Sequence, residues 1–156
     1  MYLALKAVHV LAVALFLGNI VTGVFWKAHA DRTGDPRIIA HTLDGIIRSD
    51  RWFTIPGVLL IIASGVWAAI LGDLPILGTP WIWQSLVLFG ISGLAFGFQV
   101  APLQVRLRDL ALRGSTGGPW DGAAYRRLSA RWGIWGLVAT LAPIGALALM
   151  VLKPER

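Results

Sequence analysis

Four long apolar stretches, separated by segments rich in arginine and aspartate or in glycine and proline, set the plan of the chain. Each apolar stretch holds about 20 residues, enough for a helix to cross the hydrocarbon core of a bilayer. Their limits predict spans at about 2–26, 52–71, 81–103 and 132–152. The stretches 27–51 and 104–131 read as aqueous loops, and GDLPILGTP, between the second and third spans, is a short connection without a basic residue. The expected fold class is all-α: a polytopic membrane protein built as a four-transmembrane-helix antiparallel bundle, one domain over 1–156.

Finer periodicity predicts which faces meet. At about 100° per residue, Leu5, His9, Ala12, Phe16, Asn19 and Gly23 share an arc of about 80°, with Lys27 in line with His9. This stripe is predicted to face protein rather than lipid, while Gly18 and Thr22, off the stripe, predict a second close helix contact. Within 27–51, Gly34-Asp35-Pro36 is a turn and helix-start signal, and Ile38, Ile39, Leu43, Ile46 and Ile47 recur at helical spacing. An interfacial amphipathic helix running into the second span is expected there. Pro56-Gly57 is expected to kink or loosen the second span, Pro102 to break the third and Pro143 to interrupt the fourth. Small residues offer packing surfaces in three spans: Gly57, Ser64 and Ala68; Gly90, Gly93 and Gly97; Gly133, Gly136 and Thr140. Arg51-Trp52 and Arg131-Trp132 open the second and fourth spans alike, a faint sign of two similar hairpins.

Composition agrees with this plan and narrows the chemistry. Hydrophobic residues make up 56% of the chain and charged ones 14%, with mean hydropathy +0.70, values that belong to membrane proteins. The net charge of +6 comes from arginines concentrated in two loops, so nucleic acid is not the implied partner; the loop arginines are expected to meet anionic lipid headgroups. Counting basic residues places 27–51 and 104–131 in the cytoplasm, against Lys6, Lys153 and Arg156 on the other face. Both termini are then outside, in a bacterial inner membrane. Ala28-His29-Ala30 imitates a signal cleavage site, but the preceding apolar run is too long for a signal core, so 2–26 is expected to remain as a mature span. Cysteine is absent, which excludes disulfides, Fe–S clusters and thiolate chemistry, and two methionines do not make a copper relay.

Few residues can carry chemistry. His9, inside an apolar run, is the leading candidate, because ionisable groups in a spanning helix are costly and face a bundle interior or cavity. A neutral imidazole can donate one N–H to a neighbour and keep the other nitrogen for a metal, as a haem iron requires. Lys6, one turn earlier, is placed to pair with a propionate; Asn19 on the same stripe completes the candidate cofactor-binding set. The alternative for His9 is an interhelical hydrogen bond. His29 and His41 lack a tight His-x3-His spacing and read as solvated, while Asp31, Asp35, Asp44 and Asp50 alternate with arginines in a way that suits ion pairing and helix capping. The glycines of 114–119 have neither a preceding strand nor a P-loop pattern. Six of the eight tryptophans, Trp132 among them, lie near predicted span ends, where aromatic belts belong.

Lys6-Ala7-Val8-His9, Gly18, His29, Pro56 and Gly65 together resemble HemJ-type protoporphyrinogen oxidases and the wider CopD-like membrane group. A nearer likeness, carried by Gly18-Asn19, Phe25-Trp26-Lys27, Ala30-Asp31-Arg32, Asp35, Asp50-Arg51, Phe53, Pro56 and Gly65, is to an uncharacterised bacterial family of predicted integral membrane proteins. The HemJ resemblance implies four membrane helices with His9 as axial ligand of haem b. This chain departs from that pattern at Gln84 and Phe98-Gln99, where the family carries a lysine and a tyrosine-histidine pair, so porphyrinogen oxidation is not implied. The expected function is therefore a haem-associated or redox-linked membrane protein centred on His9. A non-catalytic accessory subunit, packing through Gly90, Gly93 and Gly97 on itself or on a larger complex, is the alternative. An ion or small-molecule carrier is disfavoured, since Lys6 and His9 both lie near one end.

Overall fold

The computed structural model describes residues 1–154. Arg156, counted above with the terminal face, lies outside the described residues. Six α-helices follow in order: α1 (Tyr2–Thr33), α2 (Pro36–Ser49), α3 (Ile55–Leu71), α4 (Pro80–Ala95), α5 (Ala101–Ser115) and α6 (Gly122–Leu152). A π-helical turn, Asp50–Thr54, joins α2 to α3, and a second, Phe96–Val100, joins α4 to α5. The result is four continuous rods, each long and apolar enough to cross a membrane. The all-α four-helix bundle is the fold.

The rods outlast the spans. At 1.5 Å per residue, the two 36-residue rods Pro36–Leu71 and Pro80–Ser115 are about 54 Å long, against about 30 Å of hydrocarbon. The amphipathic helix expected after Gly34-Asp35-Pro36 is α2, which runs into the second span through the π turn; beyond it, helix replaces expected loop where α1 continues to Thr33, α5 runs on past Pro102 to Ser115 and α6 begins at Gly122. Alanine, leucine and arginine sustain a helix in water as well as in lipid. The true connections are short. Gly34 adopts φ 63°, a left-handed conformation that glycine enters without steric cost, and its N–H bonds to Asp31 O; Asp35 then caps α2 by accepting from Arg37 N at 2.8 Å. Asp121 caps α6 by accepting from Ala123 N and Ala124 N.

Packing divides the bundle into two ends. At the basic end α2 lies on α5, and Ile39, Leu43, Leu107, Ala111 and Tyr125 form a closed core in which Leu107 and Ala111 are wholly buried. At the terminal end α1 pairs with α3 and α4 with α6. The α1 stripe faces inward as the periodicity predicts: Ala12, Phe16, Lys27 and Ala30 are buried while Leu3, Leu11 and Leu15 point out. Gly18 faces open space and makes no second helix contact.

Lys27, expected at the start of an aqueous loop, and Trp132, expected in an aromatic belt, are interior residues. Lys27 is 2% exposed, pairs with Asp31 at 2.6 Å, donates to Ser129 Oγ at 2.6 Å and lies 4.8 Å from the Trp132 ring centre. Tyr125 OH donates to the other oxygen of Asp31, so α1 and α6 are knotted by a charge pair whose partners are all hydrogen-bonded. The glycine ridge of α4 also departs from expectation. A Cβ at Gly90, Gly93 or Gly97 would meet nothing within 4 Å, so inside this chain the ridge packs against no helix. The α4–α6 seam uses Ser85, Ser92 and Ala95 against Ala139, Ala142 and Ala146 instead.

That seam answers a backbone defect. Pro143 cannot donate to the carbonyl four residues back, that of Ala139, and Ser92 Oγ donates to this same carbonyl at 2.6 Å. Ser92→Ala should therefore lower unfolding stability in detergent by about 1–3 kcal/mol, the cost of an unpaired buried carbonyl. In a Pro143→Ala background, which restores the N–H, the same substitution is expected to cost less than about 0.5 kcal/mol. Equal costs in both backgrounds would show that the serine does not serve the proline.

Candidate functional site

Two cavities open inside the bundle, one toward each end. The cavity at the terminal end has a volume of about 290 Å³ and is bounded by α1, α3, α4 and α6. His9 and Lys6 line it from α1, Gly65 from α3, Trp81 from α4, and Met150 from α6, with Lys153 beyond the end of α6. Lys6 is exposed, and Lys153 Nζ lies 5.5 Å from the Trp81 ring centre. Phe16 and Phe89, with ring centres 5.7 Å apart, stand next to Ala12 and Ile61 on the basic side of this cavity.

His9 is held in one orientation. Its Nδ1 lies 3.0 Å from Ile61 O and 3.1 Å from Ser64 Oγ. A carbonyl can only accept, so Nδ1 carries a proton, and Ser64 spends its own proton on Leu60 O at 2.5 Å. In the neutral ring Nε2 then holds a lone pair, for which no hydrogen-bond partner occurs among the described residues. Gly65 makes the seat: a Cβ there would come within 2.9 Å of His9 Cε1 and 3.2 Å of Nδ1.

The second cavity, toward the basic end, measures about 420 Å³ and takes its floor from Asp50. Asp50 begins the first π turn, where Ile55 N–H bonds five residues back to Asp50 O. Asp50 is 8% exposed, and its carboxyl oxygens accept from Thr54 Oγ1 at 2.7 Å, Gln104 Nε2 at 3.0 Å and Asn19 Nδ2 at 3.4 Å. Asn19 also donates to Thr54 Oγ1 at 2.9 Å and accepts from Ser49 Oγ. The structure thus brings Lys6 and His9 to one cavity and puts Asn19 at the other.

A family profile described as a predicted integral membrane protein, DUF2269, matches residues 3–154. The chain belongs to the DUF2269 family. No curated protein and no solved structure matches it.

In this DUF2269 bundle the aspartates of 27–51 divide by role. Asp31 pairs with Lys27, Asp35 caps α2 and Asp44 pairs with Arg48 at 2.9 Å, as ion pairing and capping predict. Asp50 does neither, and with Gln104 it is the functional-looking residue that the sequence pattern left unmarked. The available signal was its register: Asp50 follows Ile39, Leu43 and Ile46 on the buried face of α2. His29 and His41 are exposed; His29 stacks on Phe25, and His41 reaches the rim of the Asp50 cavity. Among the described residues, no three His, Cys, Asp or Glu side chains gather into a site for a bare metal ion.

The seat of His9 can be checked by crowding it. Gly→Ala within a helix ordinarily stabilises by about 1 kcal/mol, but Gly65→Ala should destabilise by about 1–3 kcal/mol because the imidazole must move. Combined with His9→Ala, the same change is expected to become neutral or stabilising in detergent unfolding. Stabilisation by Gly65→Ala alone would show that the ring is not seated there.

Proposed function

We propose that the DUF2269 chain is a haem b-binding, redox-linked protein of the bacterial cytoplasmic membrane, with His9 as an axial ligand. The observation that carries this reading is the fixed imidazole, with Nδ1–H committed to Ile61 O and Nε2 left with its lone pair beside a cavity bounded by all four rods. Histidines that ligate metals almost always donate their other ring N–H in this manner.

The donor set favours a metal that arrives with its own equatorial ligands. A bare ion needs about three or four protein donors, and no such cluster occurs among the described residues. A haem needs one or two. Apolar walls suit the macrocycle, and Lys6 and Lys153 near the mouth offer two cations for two propionates. Haem supplies a one-electron couple when bound; His9 binds and orients it, and the apolar lining excludes water. The HemJ-like run Lys6-Ala7-Val8-His9 supports the same assignment. The arginine-rich ends of the rods favour a cytoplasmic basic end and termini outside.

Oxidised and dithionite-reduced absorption spectra of the detergent-purified protein test this directly. A Soret band with reduced α and β bands is expected in the wild type and should be lost in His9→Ala, with yield and monodispersity retained. A flat visible spectrum from cells supplied with haem would overturn the assignment.

One observation favours a second reading. Gly90, Gly93 and Gly97 are exposed with open space beside them, a surface on which another helix could approach closely. An accessory subunit that assembles through this ridge should lose its assembly in mild detergent on Gly93→Leu, whereas a monomeric wild type would exclude self-association through it.

A further inference from the structure

The Asp50 cavity lies apart from the proposed haem site, and its charge is unusual for its surroundings. The chain carries 14 Lys and Arg against 8 Asp and Glu, and its basic residues crowd this end. No Lys or Arg lines the cavity, whose ionisable residues are Asp50 and His41. The ion pairs among the described residues are Lys27–Asp31, Arg48–Asp44 and Arg108–Asp109, and Asp50 takes part in none. Every hydrogen-bond donor it has is neutral. A carboxylate taken out of water is costly unless it takes up a proton or a positive charge reaches it.

The rest of the cavity selects the kind of cation. About 420 Å³ lies within the range of about 300–1,000 Å³ typical of small-molecule sites. Its walls are mainly apolar, from Ile20, Val24, Ile46, Trp26, Phe96 and Trp132, with Thr22, Thr42 and Thr140 among them. An alkali ion would use the oxygens around Asp50 and leave these walls empty, and a proton alone needs no cavity. Trp132, 8% exposed, contributes its indole to these walls. Both π turns contribute, Asp50 from the first and Phe96 and Val100 from the second, and such turns recur at functional sites.

We infer that this cavity is a second ligand site, which binds a protonated organic amine with an apolar body, its ammonium against Asp50 and its body against the aromatic wall. Recognition rests on charge and shape together, so the neutral analogue of the same shape is rejected.

Isothermal titration calorimetry of the full chain in detergent provides the test, with phenethylamine, tryptamine and octylamine as probes and 2-phenylethanol as the neutral counterpart. Saturable binding of at least one amine is expected, with 2-phenylethanol at least tenfold weaker, equivalent to about 1.4 kcal/mol. Asp50→Asn should weaken the amine at least tenfold. Gly136→Leu is the companion variant if Asp50→Asn does not fold: Gly136 lines the cavity, a Cβ there meets nothing within 4 Å, and the larger side chain should block binding while leaving the carboxylate intact. The inference is overturned if no amine binds up to about 10 mM, if the alcohol binds as well as the amine, or if either folded variant binds like the wild type. It is equally overturned if sodium chloride, without any amine, gives the only Asp50-dependent heat.

Discussion

A bilayer interior leaves no backbone polar group without a partner, and three of the four rods break that rule with a proline. The structure is in large part the set of answers. In α6, the carbonyl that Pro143 cannot serve takes a hydrogen bond from Ser92 of α4, which turns a local defect into the seam between two rods. In the second and third rods the helix instead widens ahead of the proline. Ile55 and Ala101 reach five residues back, to Asp50 O and Phe96 O, immediately before Pro56 and Pro102. Each widened turn shifts the register of the helix beyond it. Buried positions of the third rod jump from Ala95 to Val100 across the turn before resuming at Leu103, Gln104 and Leu107. Gln104 thereby arrives opposite Asp50, and the bond between them ties the two long rods together.

From that tie the two ends diverge. Toward the basic end the rods close on Leu43, Leu107 and Ala111, and Lys27, Asp31, Tyr125 and Ser129 fasten α1 to α6. Buried charge pairs add little net stability, but breaking one is expensive, so this knot fixes register more than it adds free energy. Toward the termini, among the described residues, nothing comparable crosses between the α1–α3 and α4–α6 pairs, and the His9 cavity occupies the space between them. A rigid end and a looser one on the same rods are what a ligand site needs: positions fixed from one side, with room to admit a group from the other.

The gross plan is legible in the sequence because hydropathy and 3.6-residue periodicity are strong signals in a chain this apolar. Four spans, the inward α1 stripe and the amphipathic Ile39–Leu43–Ile46 face all follow from spacing. Polarity misleads where it is equated with water. Lys27, Trp132 and most of 104–131 look like edge or loop because they are polar or belt-like, yet the helices continue and bury such groups against one another. Prolines look like breaks, whereas a π turn lets a rod run on through Pro102 to Ser115. Glycines look like contacts, but spacing alone cannot say whether a small-residue ridge faces inward, and the seam falls to serines and alanines. Of the candidate site residues, Lys6 and His9, one helical turn apart, line the same cavity. Asn19 lines the other one, because its partners Ser49, Asp50 and Thr54 come from 30 to 35 residues away in the chain, beyond the reach of any pattern within α1.

His9 and Asn19 stand on one face of α1, about 15 Å apart along its axis at 1.5 Å per residue, and the residues between them decide whether the bundle holds two sites or one passage. Ala12 and Phe16 occupy that interval, Phe16 is 3% exposed, and its ring meets Phe89 from α4 while Gly57 of α3 closes against its Cβ at a virtual 3.5 Å. Ile61 completes the cluster. This apolar cluster separates the two cavities without any charged residue. The imidazole and the Asp50 carboxyl consequently line separate cavities, and each must be read by its own lining: a ring nitrogen without a hydrogen-bond partner among the described residues at one end, a carboxyl without an ion-pair partner beside mainly apolar walls at the other.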